Sequence, residues 1–297
     1  MKIGDTIIED SFAEAFRVVY SRLLITAYDE HWLNAAVGSV CGYGTSVIGC
    51  DAEVGLARFV PPAETPDSRI GAEILLFSFS AESLGKAIVN RVGQCVMTCP
   101  TTAAFDNAPT AEMRTALGTQ LRFFGDGFQQ SKLIGERRIW RIPVMDGEFL
   151  VEDEIGIGKG IAGGNFLIHA VDQASGLEAL KRGIAAIATL PNVITPFPGG
   201  AVRSGSKVGS KYSALRASTN HAYCPSLRGQ VDSQIVENAN VVYEIVIDGT
   251  DEPSVAQAMA TGIRATIGPG VVAIGAGNYG GTLGKFHFRL HDVLAKH

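Results

Sequence analysis

Glu244 is the one charged residue in Val241-Val242-Tyr243-Glu244-Ile245-Val246-Ile247, a run otherwise made of strand formers. An ionised carboxylate removed from water without a partner is costly enough that it tends to take up a proton, which moves its pKa toward neutrality. A carboxyl that stays protonated at pH 7 can hydrogen-bond a developing oxyanion or hand a proton to a leaving group. The alternative is a strand at a sheet edge or beside a basic residue, with Glu244 solvated or paired, and the run alone leaves both open.

A second chemical signal is a gap in acidic residues. From residue 179 to 231 there is no Asp or Glu, yet Lys181, Arg182, Arg203, Lys207, Lys211, Arg216 and Arg228 lie there. At the chain average about five acids belong in such a span. Five of these bases follow Pro196-Phe197-Pro198-Gly199-Gly200 and precede the Glu244 strand. They outline a pocket for an anionic small molecule, with Ser204, Ser206 and Ser210 as further donors. A subunit contact or a solvated loop would explain the same residues.

Other motifs argue against common chemistries. Gly158-Lys159-Gly160-Ile161-Ala162-Gly163 and Gly275-Ala276-Gly277-Asn278-Tyr279-Gly280 both match G-x-G-x-x-G, but neither leads into a helical pattern whose N-terminus could hold a pyrophosphate. There is no G-x-S-x-G elbow and no H-E-x-x-H. Cys95 and Cys99 sit in a strand-like segment with no second pair to complete a zinc site, so no metal is expected. The five cysteines are an odd number in apolar contexts, which fits reduced thiols. His287 and His291 fall on the polar side of an alternating strand expected to close the chain.

These residues need a scaffold. The 297 residues, 46% hydrophobic, suit two lobes better than one. A net charge of −5 disfavours nucleic acid. The absence of an apolar leader or an eighteen-residue apolar stretch predicts a soluble cytoplasmic chain, away from membranes.

Two segments share a register. Leu84, Ala87, Ile88 and Val92 correspond to Val255, Ala258, Met259 and Ile263 at a constant separation of 171, with Ser80 and Asp251 both at the N-cap position. The strands before them correspond as Ile74-Leu75-Leu76 and Ile245-Val246-Ile247, and Val96-Met97-Thr98 and Val271–Ile274 follow. A looser upstream pair matches Leu23–Thr26, a helix through Leu33 and Val40, and Ser46-Val47-Ile48 with Phe166–Ile168, a helix through Leu177, Leu180, Ile184 and Ile187, and Val193-Ile194. The fold class is therefore α/β (α+β): two ferredoxin-like split βαβ lobes, 1–146 and 147–297, from an internal duplication. Extra antiparallel strands are expected between them, from Leu121-Arg122-Phe123-Phe124, 137–142 and 148–151.

With these residues assembled, the chain resembles the formylmethanofuran:tetrahydromethanopterin formyltransferases over essentially its whole length. The resemblance is carried by ordered blocks that include Glu9–Phe16, Gly44–Ile48, Glu64–Asp67, Gly93–Thr98, Phe123–Gly127, Ala162–Phe166, Pro196–Gly200, Ser206–Lys211, Tyr243–Ile247 and Ala276–Gly281. It implies reversible transfer of a formyl group between the amine of methanofuran and a ring nitrogen of tetrahydromethanopterin, in a ternary complex, without a metal, a permanently bound cofactor or a covalent enzyme intermediate. It also implies a homotetramer, and it places Glu244 at the reacting formyl group. Arg203, Ser204, Ser206, Lys207, Lys211 and Asn278 are the expected substrate-binding set. Asp67-Ser68-Arg69 departs from the Asp-Gly-Arg of the family, and His221 stands after Asn220 where archaeal members tend to carry an acid. Such departures fit a methylotroph version bound to a formyl-hydrolysing partner. The rival readings are a catalytically silent scaffold or coenzyme-carrier subunit of such a complex, and a general folate-type formyltransferase.

Overall fold

The computed structural model describes residues 1–297, which divide into two compact units: residues 18–160 form one, and residues 1–17 with 161–297 form the other. The chain opens with β1 (Lys2–Ile3) and β2 (Thr6–Ile8), then enters β3 (Phe12–Ala27), a strand long enough to pass from one unit into the other.

Helix α1 (Glu30–Cys41) starts where Asp29 accepts the Trp32 N–H, and its Leu33, Ala36, Val37 and Val40 form the buried stripe that a 3.6-residue period provides. β4 (Glu53–Val60) and β5 (Ile70–Ser78) follow, and then α2 (Ala81–Arg91), capped by Ser80 through the Ser83 N–H. β6 (Ala103–Asp106) and β7 (Met113–Ala116) precede a short helix α3 (Gly118–Leu121), after which β8 (Gln130–Ile134), β9 (Arg137–Val144) and β10 (Gly147–Glu152) form a meander. In this unit the strand order is β4-β5-β3-β6-β10-β9-β8. Helix residues such as Leu33, Leu84 and Ile88 pack with Leu23, Ile25, Ile74 and Leu76 of the strands in one core.

The second long strand, β11 (Glu154–Ala170), pairs with β7 at its start and returns the chain to the other unit. There α4 (Gln173–Ile187), β12 (Val193–Ile194), the short ribbon of β13 (Lys207–Val208) and β14 (Ala217–Ser218), β15 (Val241–Gly249), α5 (Glu252–Thr266) and β16 (Val271–Gly275) follow in turn. The sheet order is β1-β2-β16-β11-β15-β12. Asp172 and Asp251 cap α4 and α5 through the N–H groups of Ser175 and Ser254. Phe166, Ile168, Ile245, Ile247 and Ile274 pack beneath the two helices with Leu180, Val255, Met259 and Ile263.

Several expectations are corrected. Ser46-Val47-Ile48 is a turn rather than a strand, and the paired strand begins at Glu53. The segment holding Cys95 is one turn of π-helix (Val92–Val96) continuing α2, so β-branched Val96-Met97-Thr98 is no strand; β6 begins at Ala103. Leu121-Arg122-Phe123-Phe124 is helical, ending α3 and entering a 3-10 turn (Arg122–Gly125) that Asp126 closes in a left-handed conformation. Leu177 is exposed on α4, where Gly176, Ala179 and Leu180 face the core instead. The closing strand stops early as β17 (Phe286–Arg289), and α6 (Leu290–Lys296) carries His291 away from His287.

Candidate functional site

β15 is an interior strand where Glu244 stands. Leu167 of β11 pairs with it on one side, and on the other Val202 exchanges two backbone hydrogen bonds with it, Val202 N to Glu244 O at 2.8 Å and Glu244 N to Val202 O at 3.0 Å. Neighbouring side chains on a strand alternate between faces, and Ile245 and Ile247 point to the helices. Glu244 therefore projects from the opposite face, in a row across the sheet with Leu167 and Gly275.

Burial among protein atoms pushes the Glu244 carboxyl up to about 7. Part of the residue still meets solvent, so it is not sealed in the core. Its pKa makes it half-protonated near neutrality, and the edge-strand and ion-pair alternatives both fall away: both strand sides are paired, and burial alone accounts for the shift.

Polar groups that local sequence does not single out gather on this face. His169, two residues along β11 from Leu167, is fully buried; the Val236 N–H approaches its Nδ1 at 3.4 Å, and burial holds its pKa down at about 4. Its ring meets Tyr223 edge-on at 5.8 Å between centroids. Glu9 extends over Gly275, where a methyl group on the glycine would lie 2.2 Å from its Oε2; burial raises its pKa. A side chain at 275 would therefore displace the Glu9 carboxyl from its place over the strand. Tyr223 and Tyr279 both stand close enough to Glu244 for its charge to oppose their ionisation, behind burial as the larger cause.

The loop after β16 is held by two buried side chains. Asn165 accepts the Gly277 N–H at 2.6 Å and donates to the Gly277 carbonyl at 3.1 Å. Glu14, 1% exposed, accepts four backbone N–H groups: Tyr279 and Gly281 on Oε2 at 2.7 and 2.8 Å, Leu283 and Gly284 on Oε1 at 2.6 and 2.5 Å. Burial pushes this acid up, but the four N–H groups together bring its pKa below the ordinary carboxylate value.

The expected binding residues divide. Ser204 and Ser206 line a pocket of about 340 Å³ with Gly205, Ala217, Ser218 and Thr219. Lys207 lies half-buried beside it in β13, while Arg203 and Lys211 are exposed on the flanking loop. Asn278 is exposed and bonded within the chain, donating to the Phe12 carbonyl at 3.2 Å and accepting the Gly280 N–H at 3.0 Å. Lys181 and Arg182 belong to α4, where Lys181 pairs with Glu178 and Arg182 donates to the Ala265 and Thr266 carbonyls at the end of α5. The second glycine-rich match opens onto this anchored loop, and the first lies inside β11. Neither precedes a helix. No helix is long and apolar enough to cross a membrane.

Two α/β units, one bearing a carboxyl near neutrality on a sheet face that it shares with His169 and Glu9, beside a serine-lined pocket, define a protein equipped for general acid–base chemistry. Comparison with known proteins fixes the family. Residues 1–144 match the family model for formylmethanofuran-tetrahydromethanopterin formyltransferase, and residues 147–293 match that of its proximal lobe. The formylmethanofuran–tetrahydromethanopterin formyltransferases of Methylobacillus flagellatus and Methanothermobacter thermautotrophicus are each 49% identical, over 99% of this chain and all of theirs. The solved formyltransferase from Methanosarcina barkeri superposes with a TM-score of 0.93 at 45% identity, covering 99% of this chain and 100% of its own. A chain of the formyltransferase/hydrolase complex from Methylorubrum extorquens, solved with methylofuran, gives 0.93 at 44%, covering 97% and 96%. The chain belongs to the formylmethanofuran–tetrahydromethanopterin formyltransferase family.

Proposed function

We propose that this chain moves a formyl group reversibly between the amine of methanofuran and a ring nitrogen of tetrahydromethanopterin, as an enzyme of one-carbon metabolism, with Glu244 as the acid at the reacting centre. The observation that carries the proposal is the carboxyl held at about 7 on an interior strand. The lone pair of the pterin nitrogen forms a bond to the formyl carbon, and the carbonyl π electrons move onto oxygen. When the carbonyl reforms, the bond to the furan amine breaks. Neutral Glu244 gives its proton to that departing nitrogen and regains one from the pterin nitrogen, so the enzyme ends as it began. Holding two large coenzymes together supplies much of the remaining acceleration.

Methanofuran and tetrahydromethanopterin act in this reading as substrates, with no resident cofactor. Ser204, Ser206 and Lys207 are proposed contacts for anionic substrate groups, with Arg203 and Lys211 attracting them from the rim. Asn278 is assigned to shaping the loop beside Glu244, in keeping with its two internal hydrogen bonds.

The assay is formylmethanofuran with tetrahydromethanopterin or tetrahydrofolate, followed by absorbance. Transfer to tetrahydromethanopterin is expected. Glu244→Ala and Glu244→Gln should each lower turnover roughly 100-fold or more, since neither side chain can hand over a proton. Wild-type rates in both variants would remove Glu244 from the mechanism. An inactive wild-type chain would leave the scaffold or coenzyme-carrier reading, and transfer to tetrahydrofolate alone would leave the folate-type one.

The two units each run strand-helix-strand-strand-helix-strand with the order second-third-first-fourth, which supports ferredoxin-like lobes descended from one duplicated ancestor; a division near residue 146 accords with where the two family models meet, while the compact units exchange their first seventeen residues. We further read a homotetramer in the cytoplasm, able to join a formyl-hydrolysing partner. Exposed Phe123, Phe124 and Phe128 and the fully exposed strand β8 support the assembly part of that reading.

A further inference from the structure

Glu14 presents a physical puzzle. It is a buried carboxylate with no cation beside it, and its four acceptor positions are filled by N–H groups of a single loop, residues 279 to 284. The loop it organises has little core of its own: Asn278, Gly280, Thr282 and Leu283 are exposed or only partly covered. Buried charge is expensive, and such a device fixes the loop in one conformation rather than adding net stability. What the loop presents is Tyr279.

Three contacts locate that side chain. Asn165 grips Gly277, two residues before Tyr279, and Asn165 pairs with Val246, two residues from Glu244 on the same sheet face. The Tyr279 ring packs against Phe16 at 6.1 Å, which turns it over the sheet end. The Ser206 side chain lies within hydrogen-bonding reach of its phenol, so the hydroxyl points toward the serine-lined pocket.

We propose that Tyr279 donates its phenolic hydrogen to the oxygen of the tetrahedral adduct, and that Glu14 is the positioning residue that aims it there. The assignment rests on the formyl-transfer reading above and completes its accounting of charge. Glu244 has one proton, which the departing nitrogen requires, so the oxygen needs a donor that keeps its own hydrogen. A phenol serves: burial and the neighbouring Glu244 and Glu14 charges hold its ionisation above the ordinary value, while a hydrogen bond from Ser206 opposes them only partly. Ser206 donates to the phenol oxygen, which leaves the phenolic hydrogen free for the adduct oxygen. No bond to Tyr279 forms or breaks. A donor fixed in advance by the backbone contributes most, because nothing must reorient when charge develops.

The test is steady-state kinetics of the full chain with both coenzymes. Tyr279→Phe keeps the ring and should lower kcat about 10- to 100-fold, with KM for each coenzyme changed less than about 3-fold and the fall in rate above pH 7 retained. Glu14→Gln should lower kcat in the same way, and Glu14→Gln/Tyr279→Phe should be no slower than the slower single variant, since both remove one donor. A Tyr279→Phe enzyme turning over at the wild-type rate overturns the proposal, as does a double variant in which the two losses multiply. If Glu14→Gln fails to fold, Tyr279→Phe alone decides. Wild-type transfer with an unaffected Phe variant would sink only this inference, whereas an inactive wild-type chain would sink the formyl-transfer reading beneath it.

Discussion

At Glu244 the same physics that makes an acid also weakens the fold. Its pKa is about 7 in the folded protein against an ordinary value of 4.5, so the unfolded chain loses the proton first. Stability contributed by the neutral form is complete below about pH 4.5 and falls as pH rises through 7, by roughly 3 kcal/mol if burial is the whole cause. Glu244→Gln should therefore melt at a higher temperature than wild type at pH 8 and at nearly the same temperature at pH 4. Equal melting temperatures at pH 8 would mean that the carboxyl is well solvated. In kcat/KM the wild type should decline above pH 7 as the acid ionises. Glu244 was legible in the sequence because a charge inside a run of strand formers is conspicuous. Glu14, in Phe12-Ala13-Glu14-Ala15-Phe16, was not: the partners that explain it lie some 265 residues away. His169, Tyr223 and Tyr279 likewise acquire meaning only when distant strands and loops meet.

Elements were legible where periodicity was long. The Ser80 and Asp251 caps and the register of 171 appear as read, because amphipathic stripes and caps are local signals; the caps Asp29 and Asp172 came only with the structure. Short segments failed: β-branched Val96-Met97-Thr98 is turned by the π-helical extension of α2, and the Phe-rich 121–124 by a left-handed Asp126, neither of which composition announces. Glycine shows how tertiary contact overrides propensity. A methyl group on Gly262 of α5 would lie 2.7 Å from Ile187 Cδ1 of α4, and one on Gly183 would lie 2.6 Å from Thr266 Cγ2. Gly262→Ala should cost about 1–3 kcal/mol although alanine is the better helix former. Ser68 presents the reverse case, with a φ of 57° in a turn, a conformation that glycine adopts more readily. Ser68→Gly should gain up to about 1 kcal/mol. Thermal melts of both variants, shifting in opposite directions, check the pair.

At the scale of the whole molecule, residues 18–160 carry exposed apolar side chains and an open strand edge. Phe123, Phe124 and Phe128 are each more than 60% exposed, Arg122 lies over the Phe123 and Trp140 rings at 4.7 and 4.8 Å, and Leu133 and Ile134 stand on β8, which is bonded to β9 alone. An unpaired strand edge beside such side chains is a feature that proteins normally cover. If copies of the chain assemble there, Phe124→Asp with Leu133→Asp should shift light scattering from an oligomer toward the 31.4 kDa monomer without unfolding. An unchanged mass would place the subunit contact elsewhere.

The exchange of strands between the units also dictates an order of events at birth. Residues 18–160 leave the ribosome with every strand partner of β4, β5 and β6 already made, whereas β2 pairs with β16, which is synthesised almost last. Apart from the β1–β2 pairing, the first seventeen residues, with Glu14 among them, must wait for their partners in β16 and β17 through most of translation. The loop carrying Tyr279 can be locked only when the chain is nearly complete, so a polypeptide truncated in its final turn of synthesis would hold Glu244 and lack the clamp beside it.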